Sequence, residues 1–219
     1  MLLAVDTSTR VIGVALITAF EVISEVMWES DRFHTVELAA AVRENLDRAK
    51  IEPPDLTGLG LAVGPGSFTG LRIGMALIKG IAYAQNLPIY GIPTLDVTAQ
   101  SHPVTEEGNL VAVLKAGRNR LAAGWYRAQG ETWVSEGRLE NLSPEELISE
   151  IDRSTLVTGE LSGEIRERLA RSEQISAAAP ALAVRRPAVL AQLSWKRLKD
   201  GSPDDPETLS PMYLSSGKA

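Results

Sequence analysis

The stretch Gly64-Pro65-Gly66-Ser67-Phe68-Thr69-Gly70-Leu71-Arg72-Ile73-Gly74 decides how the rest of the chain is read. Just before it, Leu59, Leu61 and Val63 with the small Gly60 and Ala62 form a short uncharged run, the pattern of a strand covered on both faces. Pro65 and the glycines break that strand. Gly64, Gly66 and Gly70 permit positive φ or a close backbone approach, and Ser67 or Thr69 supplies a cap for a helix that begins near Gly70. The joint therefore reads strand, turn, helix, with backbone N–H groups gathered at a helix N-terminus. Two readings stay open here: a site for a phosphate or carboxylate, or a tight turn packed under a neighbouring subunit.

Placed at 100° per residue from Leu71, the apolar side chains of this helix fall into two groups rather than one stripe. One face carries Leu71, Met75, Ile78 and Ala82, and the other Ile73, Leu77, Ile81 and Ala84, with a narrow polar strip of Arg72, Lys79 and Tyr83. A helix apolar on both sides is covered on both. The chain's own sheet serves for one side, and a partner protein or a second layer of the same chain for the other. The expected partner surface is the Leu71, Met75, Ile78 and Ala82 face, with Phe68 and Arg72 beside it and Leu38, Val42 and Leu46 from the preceding helix. Ile73, Leu77 and Ile81 are then expected in the core. A two-helix apolar patch left open on a monomer favours twofold self-pairing, so the isolated protein is expected to be a homodimer.

Composition narrows the function classes. The 219 residues, 44% of them hydrophobic, suffice for one large domain or two small ones. A net charge of −6 argues against autonomous binding to a polyanion, so nucleic acid is not the first partner to expect. Cysteine is absent, which removes disulfides, thiolate metal sites and a cysteine nucleophile. No apolar run approaches the ~18 residues of a membrane span and no basic region precedes the first apolar residues, so the expected compartment is the cytoplasm, without membrane contact.

Taken in order, Leu2–Val5 reads as a buried strand, Asp6-Thr7-Ser8-Thr9-Arg10 as a polar turn, residues 12–17 as the returning strand and residues 22–28 as a third. A helix over residues 35–49 follows, with Leu38, Val42, Leu46 and Ala49 on one face and Arg43, Glu44 and Asp47 opposite. The strand ending at Val63, the two-faced helix and a short strand near Ile89 complete an order β-β-β-α-β-α-β. After Pro103 a similar order restarts. Strands are expected over residues 110–114, 121–126 and 132–139, a helix from Ser143-Pro144-Glu145-Glu146, a strand at 155–157, a helix over 162–171 and a long last helix over 187–199. The expectation is an α/β protein of duplicated βββαβα units. The first lobe takes residues 1–104 and is completed by residues 186–219, and a second, reduced lobe takes 105–185. Pro211-Met212-Tyr213-Leu214 is short enough to be a docking segment and no more.

Asp6 at the end of the first strand, followed by the hydroxyls of Thr7, Ser8 and Thr9, has the equipment of a phosphate and Mg²⁺ site: a carboxylate for metal-bound water and hydroxyls for phosphoryl oxygens. The same residues also make an ordinary hairpin turn. A two-lobed phosphotransferase calls for a matching carboxylate on the second turn, where Lys115-Ala116-Gly117-Arg118 stands instead. That leaves the first turn vestigial. The glycine stretch has neither the spacing nor the Lys-Ser/Thr of a phosphate-binding P-loop. It lacks the glycine two before the serine that a nucleophile elbow needs, since Pro65 stands there. The two histidines, His34 and His102, form no metal-ligating pair. No catalytic or metal-ligating residue is therefore assigned. A small-molecule kinase or ATPase and, behind it, a peptidase are the alternatives to a partner subunit.

Together, Asp6-Thr7-Ser8-Thr9, the motif from Gly64 to Arg72, and Pro211-Met212-Tyr213-Leu214 resemble the TsaB (YeaZ) family along essentially the whole chain. The resemblance implies two ribonuclease-H-like lobes of the actin, Hsp70 and sugar-kinase kind. It also implies a non-catalytic subunit that works with TsaD and TsaE to place the threonylcarbamoyl group on N6 of the adenosine next to the anticodon in tRNA. It implies pairing with TsaD through helices of the first lobes, no tightly bound cofactor, ATP and Mg²⁺ used by the assembled complex, and tRNA met only within that complex. Members usually carry Asp-Ala-Arg where this chain has Lys115-Ala116-Gly117, which withholds any ligand contact from the second lobe.

Overall fold

The structure, a computed structural model, describes residues 1–30, 35–105 and 108–214. The chain forms two compact units, Met1–Val97 with Arg186–Tyr213, and a second beginning at Thr98 and running to Arg185. The first division falls earlier than residue 104, inside a helix (Thr94–Gln100) that the sequence did not reveal. Leu95 and Val97 of that helix are buried with the first unit, whereas Pro103, the sequence signal for a boundary, lies within the segment that follows the helix.

In the first unit β1 (Leu2–Asp6), β2 (Val11–Ile17) and β3 (Val22–Glu29) run antiparallel, and β4 (Gly58–Gly64) and β5 (Ile89–Pro93) join them in parallel, in the order β3-β2-β1-β4-β5. β1 and β4 are buried along their whole length, as their uncharged sequences require. α1 (Thr35–Ala49) and α2 (Phe68–Gln85) cover one face of the sheet, around Leu3, Val5, Leu59, Leu61, Met75 and Ile78. The other face is covered by the last helix (Pro187–Lys199), where Leu190 and Ala191 meet Leu2, Ala4, Ala62 and Ile92. Glycines let that helix approach closely: a Cβ on Gly13 would stand 3.0 Å from Pro187, and one on Gly60 would overlap Ser194.

The second unit repeats the plan. β6 (Asn109–Lys115), β7 (Leu121–Gln129) and β8 (Thr132–Leu142) are antiparallel, β9 (Thr155–Gly159) and β10 (Ile175–Ala177) are parallel additions, and the order is β10-β9-β6-β7-β8. Two short helices, Pro144–Glu150 and Gly163–Leu169, pack Leu147 and Leu169 against Val111, Val113 and Val157. Ser143 opens the first of them with a capping box, its hydroxyl accepting from Glu146 N while the Glu146 carboxylate accepts from Ser143 N. Each unit is thus a mixed five-stranded sheet of ribonuclease-H type, and the α/β, duplicated reading of the sequence holds. β10, a three-residue strand, gave no sequence signal.

Candidate partner-binding site

The turn after β1 and the loop after β4 lock together. Asp6 is 2% exposed, and its Oδ1 accepts from Ser8 N at 2.8 Å and from Ser8 Oγ at 2.5 Å. Thr7 donates to the carbonyl of Gly70 at 2.8 Å, Ser67 N donates to the carbonyl of Ser8 at 2.6 Å, and Thr9 Oγ1 accepts from Val11 N. The hydroxyls of Thr7, Ser8 and Thr9 and one oxygen of the Asp6 carboxylate, which suggested a phosphate site, are engaged inside the turn and across to the motif loop. Two further donors of the motif loop are engaged as well: Gly64 N reaches Thr94 Oγ1 at 3.1 Å, and Gly70 N reaches Ser67 Oγ, the helix cap. Glycine is required where the two loops cross. A Cβ at Gly66 would overlap the carbonyl of Ser8, one at Gly74 would overlap Thr7 Oγ1, and Gly64 has φ +115° under the carbonyl of Met212.

That crossing settles which side of α2 faces inward, and it reverses the expected assignment. Gly74, where a Cβ would overlap Thr7 Oγ1, and Gly70, one turn earlier, whose carbonyl accepts from Thr7, set one side of α2 on the Thr7 turn, and the residues flanking them turn to the sheet with them. Leu71, Met75, Ile78 and Ala82 are buried in the chain's own core, and so are Leu38, Val42 and Leu46 of α1. All seven are core residues, and of them Leu38, 1% exposed, also lines the groove between α1 and α2. The outer side of α2 is the other one, with Ala76, Gly80 and Ala84 exposed and Ile73, Leu77 and Ile81 half-buried. Phe68, Thr69 and Arg72, also expected at the partner surface or the motif loop, are exposed.

Between α1 and α2 this outer side forms a groove of about 520 Å³ lined by Leu38, Ala39, Phe68, Ile73, Ala76 and Leu77, with Thr69 and Arg72 as its polar residues. The C-terminal segment borders it. Met212 N donates to the carbonyl of Val63 at 2.7 Å, Lys79 Nζ donates to the carbonyl of Leu209 at 2.8 Å, and Arg72 Nε donates to the Tyr213 hydroxyl at 3.3 Å. The Tyr213 ring lies 5.2 Å from that of Phe68, and the Arg72 guanidinium sits 3.8 Å over the Phe68 ring. Phe68 and Tyr213 nevertheless stay 53% and 44% exposed. Sequence reading missed Ala39, Ile73, Ala76, Leu77 and Tyr213 as surface residues. For the α2 residues the Gly70 and Gly74 pair was the available signal; for Tyr213 there was none, because Arg72 lies 141 positions away.

In the second unit Lys115, Gly117 and Arg118 occupy the turn between β6 and β7, where Lys115 N donates to Glu160 Oε2 at 3.2 Å. His102 is buried, its ring set against the carbonyl of Pro103, and its own carbonyl accepts from Trp133 Nε1 at 2.9 Å. His34 lies outside the described residues. Among the described residues no group of three or more His, Asp or Glu could hold a metal ion, and no helix is long and apolar enough to cross a membrane.

Two sheets of this topology in one chain define a protein of the actin, Hsp70 and sugar-kinase fold class. Among solved structures, YeaZ from Pseudomonas aeruginosa shares the fold with a TM-score of 0.78 at 24% identity, over 96% of this chain and 99% of that one. Residues 21–192 match the family model described as TsaD: tRNA N6-adenosine threonylcarbamoyltransferase. The tRNA threonylcarbamoyladenosine biosynthesis protein TsaB of Bacillus subtilis (strain 168) is 30% identical over 167 residues, 72% of this chain and 70% of that protein. Its namesake in Escherichia coli (strain K12) is 33% identical over 141 residues, 64% of this chain and 56% of that protein. The chain belongs to the TsaB (YeaZ) family.

Proposed function

We propose that this chain takes part in tRNA threonylcarbamoyladenosine biosynthesis as a non-catalytic subunit that pairs with TsaD and, with TsaE, allows transfer of the threonylcarbamoyl group to N6 of adenosine. The observation that carries the pairing is the apolar groove on the outer side of α1 and α2, bordered by Phe68, Arg72 and the C-terminal segment. Match to a TsaD family model over most of the chain supports a partner of like fold, whose own first-lobe helices can lie against these. The internally consumed Asp6–Thr9 turn and the basic Lys115 turn favour a subunit over a kinase, which needs both turns open and acidic. In this reading nucleotide and Mg²⁺ belong to the assembled cytoplasmic complex, tRNA is met only there, and the chain alone closes the groove by forming a homodimer.

The experiment is omission. A mixture of TsaD, TsaE, ATP, threonylcarbamoyl-adenylate and tRNA should modify the tRNA only when this chain is added, and this chain alone should do nothing. Modification at full rate without it removes the role. Metal-dependent nucleotide hydrolysis by the chain alone, abolished by Asp6→Asn, would return the kinase reading, and peptide cleavage would return the peptidase.

A further inference from the structure

The groove between α1 and α2 contains one charge. Arg72 stands on the exposed side of α2, fixed in place by its ring contact with Phe68 and by the bond from Nε to the Tyr213 hydroxyl. Its two terminal amino groups meet no partner among the described residues. Lys79, the other cation of α2, is already engaged with the carbonyl of Leu209. An arginine that is held by its Nε edge and one face, with the outer fork open, is set to receive a planar carboxylate.

A second copy of this chain has little to offer it. α2 contains no acidic residue from Phe68 to Gln85. The acids of α1 are committed: Glu37 accepts from Trp28 Nε1 at 3.1 Å, Glu44 from Arg48 at 2.5 Å, and Asp47 from Arg43 at 3.0 Å. Turning Glu44 or Asp47 to Arg72 across a twofold axis would free an arginine in exchange, and turning Glu37 would leave the Trp28 Nε1–H without its acceptor. Self-pairing through these two helices therefore buries apolar surface but offers the Arg72 fork only carboxylates already in use, while a different partner with an acidic residue at the matching position satisfies it.

We infer that Arg72, positioned by Phe68 and Tyr213, is the specificity determinant of this groove, selecting a partner helix that presents a carboxylate over a second copy of the chain. The inference rests on the pairing with TsaD proposed above. A nucleic-acid partner fits less well, since a lone open guanidinium on an apolar groove lacks the further cations that a phosphate backbone would engage.

The test titrates the full chain against purified TsaD, and against itself, at low and at high salt, for the wild type, Arg72→Leu, Arg72→Glu and Tyr213→Phe, with melting curves confirming that each is folded. Arg72→Leu should weaken the pairing with TsaD about tenfold, equivalent to about 1.4 kcal/mol, at low salt and much less at high salt. Arg72→Glu should weaken it further. Tyr213→Phe, which keeps the ring and loses the anchor, should cost about two- to threefold with the same salt dependence. Self-association of Arg72→Leu should be unchanged or tighter. Equal weakening of both associations, or pairing with TsaD that is indifferent to Arg72→Leu, overturns the inference and leaves the proposed function standing. Unchanged pairing with reduced tRNA binding by the complex would assign the cation to phosphate instead. Absence of any binding of wild type to TsaD removes the functional reading, and this inference with it.

Discussion

Gly66 and Gly74 hold the first turn and the motif loop at a separation that no side chain tolerates, and they differ in what blocks them. At Gly66 the obstacle is the backbone carbonyl of Ser8, which cannot move without breaking its bond from Ser67 N. At Gly74 it is the Thr7 hydroxyl, which can rotate but then leaves the carbonyl of Gly70. Gly66→Ala should therefore lower stability by about 2–3 kcal/mol and Gly74→Ala by about 1–2 kcal/mol, read from urea denaturation. Gly80 is the internal contrast. Nothing lies within 4 Å of its Cβ position, so Gly80→Ala should raise stability by up to about 1 kcal/mol through helix propensity alone. If Gly66→Ala and Gly80→Ala melt alike, the two loops are not in contact as described.

Helix α2 separates stability from association, because its two apolar sides have different neighbours. Met75→Glu and Ile78→Glu place a carboxylate in the core without a counter-charge and should cost several kcal/mol, leaving the first lobe unfolded. Ala76→Glu, on the exposed side, should keep the wild-type melting temperature and lose both self-association and pairing with TsaD by sedimentation. A folded protein from Met75→Glu would reverse the orientation of the helix. The short helix Pro144–Glu150 carries a pH signature of its own. Glu146 titrates below its ordinary value of 4.5, first because its carboxylate accepts from Ser143 N and then because Arg120 lies beside it. A carboxyl depressed by folding contributes stability that is present above the unfolded value and is lost as pH falls through the folded one. Glu146→Gln should accordingly lower stability slightly at neutral pH and flatten its loss below about pH 4.5, so that the two proteins converge in acid.

At the scale of the molecule, the first unit is discontinuous: residues 1–97 supply the sheet and one helical layer, and the far end of the chain supplies the other. A chain ending at Arg185 bares Leu2, Ala4, Ile17, Tyr90 and Ile92, so it should be insoluble or bind hydrophobic dyes, and an added peptide of residues 186–213 should restore a cooperative first-lobe melt. A soluble, cooperatively folded 1–185 would show that the last helix is dispensable. Local sequence alone determined most elements. The uncharged runs at 2–5 and 59–63, the amphipathic period at 35–49, the Ser-Pro-Glu-Glu start and the proline-led last helix each encode their element through burial, periodicity or capping within a few residues. The motifs Asp6–Thr9, Gly64–Arg72 and Pro211–Leu214 were enough to point to the family. Three things were left to the tertiary structure. The helix Thr94–Gln100 has too little apolar periodicity to announce itself. The phosphate-like turn is closed by a loop some sixty residues away, through bonds that no local pattern carries. A helix apolar on both sides has two equivalent solutions in sequence; only the contact of Gly70 and Gly74 with the Thr7 turn breaks the tie, because close packing at one point fixes the rotation of the whole rigid helix.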